Sequence, residues 1–194
     1  MEDVIRHVPN YKKGMKLVFV PTAAEVEKGY LSWIHEDRQA LIDVGFTVSD
    51  FSLANTSLEE VQKAFDPAQV VMFSGGNTYF LMQEIQRSNC AEYIRNRVSN
   101  GLVYMGTSAG SIVAGPKIDM VGDLDDRSLA PDLIGDKCLQ LTDVIIFPHW
   151  GSPHFEKRYE KCMQNGYKKG NKIVLLTDDQ YLWVKDDCYQ IISI

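Results

Sequence analysis

The run LVYM at 102–105 passes directly into Gly106-Thr107-Ser108-Ala109-Gly110 and then into Ser111-Ile112-Val113-Ala114. The first segment reads as a strand and the last as the start of a helix. G-x-S-x-G set between them is the context that separates a nucleophile elbow from a chance five-residue match. So sharp a turn puts Ser108 at the strand tip and leaves no room for large neighbours, hence the small residues on either side. The following helix aims its first amides at the same point, so the Ala109 N–H faces an oxyanion developing there. The competing interpretation is a tight turn that merely holds a serine.

Outward from this turn, strand-length apolar runs alternate with helix-period stretches. The expected strands are 16–20, 46–51, 70–73, 102–105, 144–147 and 173–176; the expected helices are 25–44, 58–65, 78–86, 91–98 and 155–165. Several of the strands are continuous β-branched runs rather than alternating ones, as happens when both sheet faces are covered. The repetition predicts an α/β fold of three layers, a mostly parallel sheet with helices on both faces. Asp186-Asp187 between the apolar runs 181–185 and 189–194 predicts a β-hairpin that finishes the sheet. The segment 115–140, rich in Asp, Gly and Pro, has no period and reads as a long loop, a kind more often functional than accidental.

The chain of 194 residues is expected to form a single domain, 1–194, with enough core to need no disulfide or metal staple. Its composition, 45% hydrophobic and 24% charged, excludes disorder. A formal net charge of −6 leaves no electrostatic footprint for nucleic acid or an anionic membrane. Cys90, Cys138, Cys162 and Cys188 form no CxxC pair and suit reduced thiols. The opening MEDVIRHVPNYKKG lacks the apolar stretch of a secretory signal, and no run approaches a membrane span, so a soluble, cytoplasmic protein is expected. GSIVAGPK at 110–117 is no phosphate loop: Pro116 stands where Lys is needed, and Ile118 follows Lys117 where Ser or Thr is needed.

A second glycine turn, Ser74-Gly75-Gly76-Asn77, closes the apolar run ending at Phe73. Strand C-termini share one edge of a parallel sheet, so this turn reaches Ser108, and a Gly76 N–H beside the Ala109 N–H makes a two-donor oxyanion hole. The plainer alternative is a turn with Asn77 as helix N-cap. Serine needs a general base, and four histidines are available. His7 and His35 read as surface residues. His149 follows VIIFP at another strand end, and its position favours it over His154. The orienting carboxylate stays open among Asp119, Asp123, Asp125, Asp126, Asp178 and Asp179.

FSGGNTYFL at 73–81, MGTSAGSIVAGP at 105–116, IIFPHW at 145–150 and LTDD at 176–179 together resemble the serine peptidases typified by peptidase E (aspartyl dipeptidase) and cyanophycinase. The resemblance runs from about residue 16 onward. It implies a fold similar to the class I glutamine amidotransferases, Ser108 as nucleophile, His149 as base, and the amides of Gly76 and Ala109 as the oxyanion hole. Asp123 matches an aspartate of the relay, and Asp178 a strand-end acid that is the alternative third member. His149, 41 residues past Ser108 with two strands still to come, departs from the α/β-hydrolase order of acid before histidine. Peptidase E carries after its histidine an Arg-containing segment that reads a substrate aspartate. Here GSPHFEKRYEKC stands instead, with Arg158 a weak substitute, so aspartyl preference does not carry over. The expectation is a serine peptidase acting on a small peptide or amide, a dipeptidase or exopeptidase, as monomer or homodimer, with no metal or organic cofactor. An esterase or acyltransferase using the same elbow, or a catalytically silent binding domain, is the alternative.

Overall fold

The computed structural model describes residues 2–29, 31–153, 155, 156, 159, 162–164, 166 and 170–194, with Glu2 and Asp123 described in their backbone only. Four parallel strands, β1 (Lys16–Val20), β2 (Thr47–Asp50), β3 (Val70–Phe73) and β4 (Val103–Gly106), form a sheet in the order β2-β1-β3-β4. Successive side chains of a strand point to opposite faces, and the core divides accordingly. Val18, Val20, Val71 and Phe73 join one buried cluster with Val61, Phe65, Leu81, Ile85, Ile94 and Val113. Leu17, Phe19, Val70 and Met72 join the other with Val8, Leu41 and Phe46. Because both faces are covered, β1 and β3 had to be apolar at every position but Lys16. Each large side chain fully buried this way contributes about 1.5–3 kcal/mol over an exposed one. Thr47–Asp50 is the polar exception because β2 lies at the sheet edge, largely exposed.

The short α1 (Glu2–Ile5) precedes β1, and α2 (Ser32–Asp43) links β1 to β2 on the Leu17 face through Ile34 and Leu41. The helix expected over 25–44 therefore starts seven residues late. The chain first makes a 3-10 turn at Thr22–Ala24, and Gly29 then sits at φ +95°, in the left-handed region that breaks a helix. On the opposite face pack α3 (Leu58–Phe65), α4 (Thr78–Arg87), α5 (Ala91–Ser99) and α6 (Ala109–Ala114). Ser57 and Glu60 close a reciprocal capping box at the start of α3. Asn77 caps α4, its Oδ1 accepting from the Phe80 N–H at 2.9 Å.

Beyond α6 the chain lays Ile118, Val121, Ala130, Leu133, Cys138 and Leu139 into the larger cluster, so the aperiodic segment is core-forming and carries 3-10 turns at Gly122–Leu124 and Arg127–Leu129. β5 (Ile145–Phe147) and β6 (Ile173–Leu175) then pair with each other in parallel, and β7 (Gln180–Lys185) with β8 (Cys188–Ser193) in antiparallel fashion. The expected hairpin exists but does not finish the sheet: β7–β8 and β5–β6 are separate ladders. The break falls where α6, whose last carbonyls accept from the Leu139 and Leu141 N–H groups, packs against β5. The hairpin packs instead on the N-terminus: Tyr181 O–H donates to Asp3, and the Tyr181 and Trp183 rings contact His7. His7 is consequently half-buried rather than a surface residue. Of the helix expected over 155–165, the described residues 156, 159 and 162–164 are helical, while His154 and Arg158 lie outside the described residues. Among the described residues no helix is long and apolar enough to cross a membrane.

Candidate active site

Four strand ends converge on one edge. β4 ends in the turn carrying Ser108, β3 in Gly75-Gly76, β5 in His149, and β6 in Asp178. Ser108 holds φ +47° and ψ −111°, a conformation that L side chains rarely adopt. It is the N-cap of α6, yet its hydroxyl makes no capping bond. The Oγ instead lies 3.0 Å from His149 Nε2. His149, itself at φ +62°, places Nδ1 at 2.6 Å from Asp178 Oδ1. A carboxylate at Nδ1 calls for an N–H there, which leaves the Nε2 lone pair facing the serine hydroxyl. The His149 side chain is 29% exposed and that of Asp178 63%, so solvent screens their attraction and the bond's value is orientation.

The elbow is held in place by backbone contact. The Thr107 N–H donates to Phe73 O at 3.0 Å, and the Gly110 N–H reaches both Thr107 O and Ser74 O. A Cβ on Gly106 would stand 2.5 Å from the carbonyl of Gly110, and one on Gly110 would stand 2.1 Å from Phe73 O. These glycines are what allow α6 to lie directly on β3. Gly76, at φ +125°, presses against the backbone of Ala23 and Ala24, and the Asn77 N–H donates to Ala23 O at 2.7 Å. A Cβ on Gly75 would sit 3.1 Å from Ser108 Cβ. The two glycine turns therefore touch, and among the described residues neither the Gly76 N–H nor the Ala109 N–H donates to a protein acceptor.

Ser108, His149 and Asp178 are brought together, with Gly76 and Ala109 alongside. Asp123 lies in the 3-10 turn Gly122–Leu124, its side chain outside the described ones, and the Nδ1 position of His149 is occupied by Asp178. The remaining candidate acids bond other groups. Asp119 pairs with Lys117 at 3.1 Å, Asp125 accepts from the Thr78 N–H at 2.8 Å, Asp126 caps the Ser128 N–H, and Asp179 bonds Thr177 Oγ1.

Three neighbours escaped the sequence reading. The Phe155 ring stacks on His149 with centroids 4.6 Å apart, Trp33 lies over Gly75, and Asp37 accepts a hydrogen bond from Thr107 Oγ1 at 3.4 Å. Burial raises the Asp37 carboxyl above its ordinary range; the Thr107 bond opposes that shift and nearby Glu36 adds to it. Trp33 and Asp37 are spaced i, i+4 at the start of a helix that begins on the strand-end edge. That spacing was the available signal. Among the described residues no group of three or more His, Cys, Asp or Glu is placed to hold a metal ion.

These groups gather at the strand ends of a parallel α/β sheet. The model of peptidase family S51 matches residues 1–192, and the chain belongs to that family. An uncharacterised peptidase of Pasteurella multocida is 32% identical over 147 residues, 76% of this chain and 70% of that protein. Peptidase E of Haemophilus influenzae is 30% identical over 143 residues, 74% of this chain and 59% of its own length. The crystal structure of a Listeria monocytogenes protein provisionally named peptidase E superposes with a TM-score of 0.91 at 23% identity, covering 100% of this chain and 93% of that one. At that identity the match speaks for the fold.

Proposed function

We propose that this family member is a serine-type peptidase that cleaves small peptides, as a dipeptidase or exopeptidase, through an acyl-enzyme on Ser108. The observation that carries the reading is the 3.0 Å approach of Ser108 Oγ to His149 Nε2. Ser108 Oγ bonds to the scissile carbonyl carbon while its proton passes to Nε2. The carbonyl oxygen takes the negative charge and receives the N–H groups of Gly76 and Ala109. The carbon–nitrogen bond then breaks, and His149 returns the proton to the departing amine. Water repeats the sequence on the acyl group, with His149 again as base, and frees Ser108. Asp178 keeps the Nδ1–H tautomer and stabilises the imidazolium in both steps.

The strained backbone at Ser108 supports the reading, because such conformations persist at sites where the surrounding structure enforces them for function. Labelling with a fluorophosphonate, read by intact mass, tests the assignment. Wild type gains one adduct, while Ser108→Ala and His149→Ala gain none. A wild type that resists both this probe and a smaller sulfonyl fluoride, while a control hydrolase reacts, overturns it.

A further inference from the structure

Asp37 stands one helical turn after Trp33, on the same face of α2. It bonds Thr107, the residue immediately before the nucleophile, while Trp33 lies 3.4 Å from the Cβ position of Gly75, the glycine that also meets Ser108. The first turns of α2 therefore carry an aromatic ring and a carboxylate to the two turns that form the reaction centre. Neighbouring Cα atoms are ~3.8 Å apart, so a group held by Asp37 at Thr107 stays within a few bond lengths of a carbonyl attached to Ser108.

Asp37 lacks what a half-buried acid ordinarily has. Arg38, the one Lys or Arg of α2, is turned away to Asp50, with Nε at 2.8 and 3.0 Å from its two carboxylate oxygens. Among the described residues no cation pairs with Asp37. Its single hydrogen bond, at 3.4 Å, is long and leaves most of the carboxylate's acceptor capacity unused. Burial without a cation partner disfavours the ionised form, and the Thr107 bond opposes that only in part. A carboxylate kept in that condition beside a nucleophile is complementary to a cation that arrives with the substrate, and the indole on the same face adds a surface suited to an ammonium.

We propose that Asp37 is a specificity-determining residue that receives an ammonium group of the substrate next to the scissile carbonyl. The inference rests on the serine reading of Ser108. The ammonium is either the free α-amine of the residue supplying the carbonyl or a lysine-type side-chain amine on that residue; the chemistry recognised is the same. The same carboxylate repels a substrate carboxylate at that place.

Two matched pairs of diphenyl phosphonates test this without knowledge of the natural substrate. In each, Ser108 Oγ bonds to phosphorus and one phenoxide leaves, taking the proton from His149. One pair compares an α-aminoalkyl phosphonate with its α-hydroxy counterpart. The other compares the N-acetylated lysine and norleucine analogues. A hydrogen bond to a charged group is worth ~1.5–3 kcal/mol, so the ammonium member of one pair should modify Ser108 about 10–100 times faster than its neutral partner. That ratio collapses toward one in Asp37→Asn and is partly restored in Asp37→Glu. The pair that shows the ratio identifies the source of the amine. Equal rates within both pairs for wild type, or a ratio that survives in Asp37→Asn, overturn the proposal. If no phosphonate and no fluorophosphonate modifies Ser108, the serine reading itself falls and takes this inference with it.

Discussion

Replacing Gly110 by Ala sets two effects of opposite sign against each other. Within a helix such as Ala109–Ala114, Ala is favoured over Gly by ~1 kcal/mol, so propensity alone makes Gly110→Ala stabilising. Packing says otherwise. The new Cβ would stand 2.1 Å from Phe73 O, 2.7 Å from Phe73 C and 2.9 Å from Phe73 Cβ. All three are main-chain or first side-chain atoms of a strand whose Phe73 is fully buried, so no rotamer change relieves the overlap. Restoring ordinary contact moves α6 off β3 by more than about 1 Å, which also breaks the 3.2 Å bond from the Gly110 N–H to Ser74 O. Overpacking costs ~1–3 kcal/mol and the lost hydrogen bond ~1 kcal/mol. Set against the propensity gain of ~1 kcal/mol, the net is a destabilisation of about 1–3 kcal/mol. For a chain of this size each kcal/mol moves Tm by about 2–4 °C, so thermal unfolding followed by circular dichroism should show a drop of about 2–12 °C. Fluorophosphonate labelling should slow as well, because Ser108 lies two residues away. A Gly110→Ala protein that melts at or above wild type would refute the close approach of α6 to β3, and with it the account of why the elbow is built on glycine.

Asp178→Asn should slow fluorophosphonate labelling of Ser108 by roughly 10²–10⁴-fold, whereas Asp123→Asn should leave the rate near wild type; the reverse order would assign the orienting acid to the 3-10 turn. Asp37→Asn should raise Tm at neutral pH. The folded-state pKa of Asp37 is raised by burial, so the native protein holds its proton longer than the unfolded chain, and stability is lost as pH climbs from the ordinary carboxyl value of 3.8 through the raised one. The advantage of Asn should therefore fade below about pH 4 in melts taken across pH, and an advantage independent of pH would contradict the burial argument. Ser57→Ala removes the hydroxyl of the capping box on α3 and should cost ~1 kcal/mol by urea titration.

The parallel sheet was legible because both its faces are covered: KLVFV and VVMF can be little other than buried strands. The serine turn was legible for a related reason, since Gly106 and Gly110 mark places where backbone meets backbone. What escaped depends on distance in sequence. Nothing local in 144–147 says that among the described residues its strand pairs with 173–175 alone, or that the hairpin packs on His7 instead of extending the sheet. The choice between Asp123 and Asp178 required knowing which strand end faces His149. Trp33 and Asp37 were hidden because a helix expected from residue 25 puts the wrong residues at its first turn; Gly29 carried that information.

The gathered groups belong to two ladders that, among the described residues, share no strand pairing. Ser108, Gly76 and Ala109 ride on the four-stranded sheet, whereas His149 and Asp178 ride on the β5–β6 pair. The serine–imidazole bond is thus a gauge of how the two halves sit against each other. Its geometry tolerates only a fraction of an ångström of drift, while apolar packing tolerates much more. On warming, nucleophilicity at Ser108 should fade several degrees before circular dichroism registers any loss of sheet. Substitutions that tighten α6 against β5 should then narrow the interval between the two losses.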